Sequence, residues 1–457
     1  MTLEKIGRQL VLIFMALLPW SVIISVFGGE KLHLDIFRFW KEIFLGGIFF
    51  IFILDLYRRK IKQTFDIIDI FIVAYVVWLI VISIFQSVPL VWYIYGLRYD
   101  AEFFLAFLFF RRIFQEWDIS FSLLAKYFLI SGSLMLLAGF LIRFIFWEMI
   151  LTLVGFSDHV SVWNGVGTAP PIYHGIPGAS VVRFQGVLEG PNQMAFFLLV
   201  YMGVYASIFL RLKKYRFMNS MVFGLMLFLL MLTYSRSGYI GVIVWSAIAY
   251  GLWFLETWRK KKTHFSFSLR KIIGTSIAGC LIILVLIFQF GTHPGEIFGR
   301  HASTSGHFER MYIGLLRFEE DPLGAWLATS GPATRSRFDV NEKAEAIPDD
   351  RRIQSVTKKL KARNEDFIYT SETYYIPESW YIQQLVEWGI IGLLLFASVL
   401  FMIAWKGRKH VYMFGAFVGI LIMNMFLHSF ESMHSSLLIF IFLASFIPLS
   451  HETKLWK

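Results

Sequence analysis

The chain has 457 residues, of which 57% are hydrophobic and 16% charged, and it carries a net charge of +11. A soluble domain exposes too much surface to be covered by so few polar residues, so this composition excludes a water-soluble globule and indicates an integral membrane protein. The positive charge sits in short clusters between apolar runs, a positive-inside pattern that argues against a nucleic-acid partner.

Runs of roughly 17 to 25 mostly apolar residues can cross the hydrocarbon as helices. In chain order they are expected near 9–28, 38–57, 66–86, 91–110, 127–147, 191–210, 218–234, 238–256, 272–290, 380–404, 411–427 and 433–449. No small-residue cleavage site follows the first run, which therefore reads as a span and not a cleaved leader. The fourth is interrupted by Arg98, Asp100 and Glu102. The single cysteine, Cys280, lies in the ninth and allows no intramolecular disulfide. The expected fold class is thus all-α: a polytopic membrane protein of about twelve transmembrane helices, one integral domain over 1–457, with a loop subdomain at 291–379.

Basic clusters follow the even-numbered helices at Arg58 to Lys62, Arg111 and Arg112, Arg211 to Arg216, Arg259 to Lys262, and Lys406 to Lys409. Those ends are expected to be cytoplasmic, as are both termini. The opposite face then carries the long connections 148–190 and 291–379 and the short turn at Arg236. Within the larger loop, Ser303 to Trp326 reads as an amphipathic helix closed by Asp321-Pro322 and Gly324. Arg335 to Asp366 mixes both signs of charge and reads as solvated surface.

Positive charge is scarce on the outer side, so its exceptions are the candidates for chemistry. Arg98, Arg183, Arg236 and Arg310 are these exceptions. For each alone, snorkelling or a structural ion pair competes with a ligand role, and Arg98 has Glu102 four residues on. Arg38, Lys41 and Arg143, near outer helix ends, read as snorkellers. Arg236 lies in Ser235-Arg236-Ser237-Gly238 at the start of a helix. Free N–H groups, two serine hydroxyls and a guanidinium form an anion site there, or else the serines cap a tight helical hairpin. Arg183 precedes Gly190-Pro191-Asn192, where proline suits a helix start. Glu378, just before the tenth helix, reads either as a carboxylate favouring the helix dipole or as a general base. His293, His301 and His307, and likewise His428 and His434, match no standard metal spacing, so no metal site is expected.

Three features in this order resemble the O-antigen ligase and O-antigen polymerase superfamily: the stretch from Arg183 to Asn192; Leu232-Thr233-Tyr234-Ser235-Arg236-Ser237-Gly238; and a large loop with Arg310 and Asp321-Pro322-Leu323-Gly324 followed by a helix running from Trp380 to Gly392. The resemblance covers about Arg183 to Gly392. It implies a fold similar to the GT-C class of glycosyltransferases and transfer of an undecaprenyl-diphosphate-linked glycan to an acceptor sugar, with no nucleotide sugar and no cofactor. The site would face outward from a bacterial cytoplasmic membrane. The resemblance assigns the diphosphate to Arg183, Arg236 and Arg310, with Arg98 as a further candidate and Asn192, Ser235 and Ser237 at the helix-start anion site. Ligases of the superfamily typically carry a histidine where this chain has Glu378, a departure that favours a polymerase or another glycan transferase. The rival class is a lipid-linked oligosaccharide flippase or other polysaccharide transporter, against which stands the lack of repeat symmetry between the two halves.

This topology has a direct check. In a variant lacking Cys280, a cysteine at Ser355 is expected to react with an impermeant maleimide on intact cells, and one at Lys261 only after permeabilisation. The reverse labelling pattern would remove the outward-facing site.

Overall fold

The computed structural model describes residues 2–61, 64–85, 90–147, 149–157, 169–172, 174–176, 179–210, 216–260, 301–324, 377–427, 430, 432–447 and 449. The fold is mostly helical. Helix α1 (Leu3–Leu17) starts at Thr2, whose hydroxyl accepts the Lys5 N–H. Pro19 interrupts it with a short 3₁₀ turn at Leu18–Trp20, because proline lacks the donor that an α-helix requires. The rod resumes as α2 (Ser21–Val26). There follow α3 (Trp40–Arg59), α4 (Ile67–Phe85), α5 (Leu90–Asp100), α6 (Glu102–Glu116), α7 (Phe121–Leu141) and the short α8 (Ile150–Val154). A two-stranded antiparallel hairpin, β1 (His174–Ile176) and β2 (Ala179–Arg183), leads into α9 (Pro191–Phe209), α10 (Arg216–Leu232) and α11 (Arg236–Lys260). Then come α12 (His301–Glu320), α13 (Trp380–Gly407), α14 (Val411–Met423) and α15 (Met433–Phe446).

Among the described residues, five helical stretches are long and apolar enough to cross a membrane: Leu3–Lys31, Ile67–Phe85, Phe121–Phe146, Pro191–Phe209 and Trp380–Gly407. Phe217–Leu232, Val411–Met423 and His434–Phe446 are apolar but shorter. This is a membrane protein of the all-α class. The expected ninth span, 272–290, lies outside the described residues, as does the 291–379 subdomain apart from α12 and 377–379. Two details differ from the sequence reading. The fourth span breaks at Ala101 into α5 and α6, where Asp100 turns aside to accept from the Gln384 side-chain amide. The connection after α8 holds the β-hairpin, which no alternation in the sequence had announced.

Helix α9 is the buried axis, with Met194 through Val200 all fully enclosed. The aromatic residues split between two tasks. Phe103, Phe104, Phe396, Phe430 and Phe440 stack on one another inside, with Phe103 and Phe440 centroids 4.8 Å apart. Others such as Phe50, Phe85 and Phe401 stand exposed on the flanks, as befits side chains that meet lipid.

At one end of the bundle two basic residues, Arg111 and Arg112, are buried, while Arg58, Arg59, Lys60 and Arg408 stay exposed. Arg111, fully enclosed, donates to Asp66 at 2.6 Å, to Asp69 at 2.8 Å and to the Ile447 carbonyl at 2.9 Å. Arg112 joins Asp69 at 2.7 Å, and Lys406 joins Asp66 at 2.8 Å. The guanidinium and ammonium beside Asp66 hold its carboxyl well below the ordinary carboxylate range, against the opposing effect of burial. One charge cluster thereby ties the starts of α4 to the far ends of α6, α13 and α15. Breaking a buried pair from one side leaves an uncompensated charge and costs about 3–5 kcal/mol. Arg111→Met is therefore expected to lower the melting temperature in detergent sharply, whereas Lys126→Met, on an exposed position of α7, changes stability within about 0.5 kcal/mol. Equal melting of the two variants would show the cluster to be dispensable.

Candidate functional site

The opposite end collects the residues that the sequence singled out. Strand β2 ends at Arg183, paired across the hairpin with His174. The next residue, Phe184, donates its N–H to the Leu232 carbonyl at 2.7 Å, fastening the hairpin to the end of α10. This places the Arg183 guanidinium between the start of α9 and the turn that links α10 to α11. Its Nε donates to the Thr233 carbonyl at 2.8 Å, and its Nη2 donates to Asn192 Oδ1 at 2.9 Å on the first turn of α9. The turn after Thr233 is tight, with Tyr234 in the left-handed region at φ +51°. Such backbone is costly for a residue with a Cβ and persists where its surroundings hold it. Ser235 then caps α11, its Oγ accepting the Gly238 N–H at 3.3 Å and lying 3.2 Å from the Ser237 hydroxyl. A Cβ on Gly238 would meet the Ala195 Cβ at 2.6 Å, so glycine lets the starts of α9 and α11 abut. Arg236, half-buried, is the first residue of α11. Arg183, Asn192, Ser235, Arg236 and Ser237 thus share one place. Ser235 spends its oxygen on the cap, and the starts of α9 and α11 abut beside Arg183, helix N-termini being favourable places for an anion.

Arg310 and Glu378 form a second neighbourhood. Gly314 presses α12 onto the start of α13, where an added Cβ would stand 2.5 Å from the Ile382 side chain. One turn earlier, Arg310 Nη1 donates to Glu378 Oε1, and His307 Nδ1 lies 3.2 Å from Glu378 Oε2. Glu378 is itself in the left-handed region, φ +54°.

Arg98 departs from its expected partner. It bonds to Glu42, not Glu102, donates to the Arg38 carbonyl at 3.2 Å and lies over the Phe39 ring. The residues read as snorkellers are also engaged. Arg38 pairs with Glu30 at 3.0 Å, Arg143 donates to the Val182 carbonyl beside Arg183, and Lys41 is only 7% exposed. Each has a protein partner or enclosure near at hand that sequence distance hides.

Sequence reasoning missed a further group next to Arg183. Glu189, in the loop before α9, has its Oε1 3.7 Å from Nδ1 of the buried His434, and its Oε2 is shielded with no hydrogen-bond partner among the described residues. Burial pushes its carboxyl up to about 6. His174 Nε2 donates to the Glu189 carbonyl at 3.2 Å, and burial together with the Arg183 charge pulls that imidazole down to about 4. The only sequence signal was the position of Glu189 within the stretch from Arg183 to Asn192. His293 and His428 lie outside the described residues, and among the described residues no group of three or more His, Cys, Asp or Glu side chains is placed to hold a metal ion.

The loop motif and the late-helix motif meet backbone to backbone. Helix α13 is kinked at Gly389, φ +67°, and a Cβ there would fall 2.3 Å from the Leu323 carbonyl carbon. Gly324, φ +108°, faces it, with the Glu387 carbonyl oxygen 2.6 Å from where its Cβ would stand. The groups freed by the kink are satisfied from outside: Ile390 N–H donates to the Pro322 carbonyl at 3.1 Å, and the Trp388 carbonyl accepts from Trp78 Nε1 at 2.9 Å.

Residues 221–397 match the family model described as O-antigen ligase. The match takes in the turn at Arg236, Arg310, Glu378 and the Gly324–Gly389 contact, and it leaves Arg183, Glu189 and Asn192 outside. No curated protein matches the chain.

Both glycines combine positive φ with a space that backbone atoms already fill, so alanine is strained twice over. Gly389→Ala and Gly324→Ala are each expected to destabilise by more than about 1 kcal/mol, read as a lower melting temperature. Gly251→Ala, where nothing stands within 4 Å, changes little. Parental melting of the first two would dismiss the close contact.

Proposed function

We propose, from the place of this chain in the O-antigen ligase and polymerase superfamily, that it transfers a lipid-linked glycan to an acceptor sugar, drawing on an undecaprenyl-diphosphate-linked oligosaccharide at the outer face of a bacterial cytoplasmic membrane. The observation that carries the reading is the Arg183 guanidinium tying the start of α9 to the α10–α11 turn, where the starts of α9 and α11 abut and Arg236 heads α11. A diphosphate is the leaving group of such a transfer and gathers negative charge as the bond to the anomeric carbon breaks. Fixed guanidinium groups and helix N-termini stabilise that charge without reorganising. In this proposal Arg183 and Arg236 hold the diphosphate, Arg310 reaches it from α12, and Arg98 anchors the floor through Glu42. Asn192 fixes the Arg183 fork.

The acceptor hydroxyl attacks the anomeric carbon from the side opposite the diphosphate, so the displacement inverts that centre. Its proton needs a base. The sequence offers Glu378 for this part, or else as a carboxylate favouring the helix dipole, and its bond to Arg310 equips it to orient that arginine. Polymerisation or another glycan transfer fits Glu378 better than the ligase reaction, where a histidine is typical.

Arg236→Ala and Arg183→Ala are expected to lower glycan transfer by about 100-fold or more, the loss that follows removal of one preorganised charge-stabilising donor, while membrane expression stays intact. Arg236→Lys should recover little, because an ammonium lacks the bidentate fork. The measurement is transfer from extracted lipid-linked glycan by the purified protein. Near-parental transfer by both alanine variants would overturn the reading.

A further inference from the structure

We propose that Glu189, buttressed by His434, is the base that takes the proton from the acceptor hydroxyl. The inference rests on the glycan-transfer reading and deepens it by naming the reacting carboxylate.

The geometry favours Glu189 in four ways. It stands two residues before Pro191 and three before Asn192, whose side chain receives Arg183, so it belongs to the same loop as the anion site. Its Oε2 is sheltered from bulk water and has no hydrogen-bond partner among the described residues, a costly condition for a carboxylate unless a ligand supplies the donor. Its other oxygen lies 3.7 Å from Nδ1 of the buried His434, near enough for that imidazole to back the carboxylate without a hydrogen bond to it. The charged and titratable groups around it come from separate elements: Lys41 of α3, whose charge favours the ionised carboxylate; His434 of α15; and His174 of β1, bonded to its carbonyl and itself under the Arg183 charge. Glu378, by contrast, has Oε1 bonded to Arg310, with His307 Nδ1 3.2 Å from Oε2.

In the step itself, the acceptor oxygen forms its bond to the anomeric carbon. The bond from that carbon to the diphosphate oxygen breaks, and its electron pair leaves with the lipid diphosphate. The acceptor proton passes to Glu189 Oε2. A carboxyl lifted to about 6 is a stronger base than a free carboxylate yet is ionised at neutral pH, the condition that general-base catalysis favours. Below about pH 6 it is protonated and cannot accept, so transfer should rise with pH through that range. His174, held down to about 4, is neutral across the same range and does not supply the limb.

The test compares the purified parent with Glu189→Gln, Glu189→Asp, His434→Gln and Glu378→Gln, using extracted lipid-linked glycan for transfer and undecaprenyl diphosphate for binding. Glu189→Gln is expected to lose about 100- to 10,000-fold in transfer rate, to bind undecaprenyl diphosphate as the parent does, and to lose the acidic limb in what activity remains. Glu189→Asp keeps a limb at a displaced pH, and this variant decides the matter if the glutamine variant does not fold. His434→Gln keeps the limb but moves it, an effect that a purely structural role would not produce. Transfer by Glu189→Gln within a few-fold of the parent, or an acidic limb that is unmoved in both Glu189 variants and vanishes in Glu378→Gln, overturns the assignment and leaves glycan transfer standing. A parent that binds undecaprenyl diphosphate but forms no glycosidic bond overturns the underlying reading instead.

Discussion

A charge in a low-dielectric bundle must find its opposite inside the protein, and this constraint organises both ends of the molecule. At one end the requirement is met in full. Arg111 meets Asp66, Asp69 and a helix-end carbonyl, and Arg112 and Lys406 complete the set. Because the partners come from α4, α6 and α13, helices distant in sequence are fixed in register at that level. At the other end it is met only in part. Among the described residues, Glu102 has both oxygens shielded without hydrogen-bond partners, and Glu42 and Glu189 have one each. The same physics that makes the first end a clamp makes the second a place where a polar ligand is welcome.

The two ends depend on each other. The antiparallel run of α4 against α6 and α13 carries the register set at Asp66 to the level of Tyr75, Asp100 and Gln384, where Tyr75 donates to Gln384 at 2.6 Å and Gln384 donates to Asp100 at 2.7 Å. That buried relay lies just where the fourth span breaks, and it orients the start of α13. Trp380 N–H, at that start, donates to the Asn424 carbonyl, and Asn424 in turn accepts from Phe430. The approach to α15, where His434 sits, is thus fixed by the same chain of bonds that places Glu378.

How much of this was legible in the sequence follows from what a linear pattern can carry. The apolar runs marked α4, α9 and α13 well, since about twenty residues with at most a charge or two have few alternatives in lipid. The amphipathic helix of the loop was legible too: its expected stop at Asp321-Pro322 and Gly324 is where α12 ends. Motifs at helix starts announced Arg183, Asn192, Ser235 and Arg236, but not that Arg183 itself would tie the start of α9 to the α10–α11 turn, because that contact depends on a β-hairpin with no alternating pattern to betray it. Partners across sequence were invisible. Arg98 reads naturally with Glu102, four residues away, yet bonds to Glu42, 56 positions back. Lys41 reads as a snorkeller because its burial is imposed by helices that the local sequence does not mention. Glu189 drew no notice for the same reason: its environment comes from α3, β1 and α15.

The glycine contact between the loop after α12 and the kink of α13 restricts motion in a particular way. With two bare backbones touching, there is no side chain to bend, and the hydrogen bond from Ile390 to Pro322 forbids sliding of one segment along the other. A second pin lies further back, where Gly314 packs α12 onto Ile382 at the start of α13. Two points fix a line, so α12 can neither slide nor swing against α13, and Arg310, one turn beyond the second pin, is presented to Glu378 from a rigid mounting.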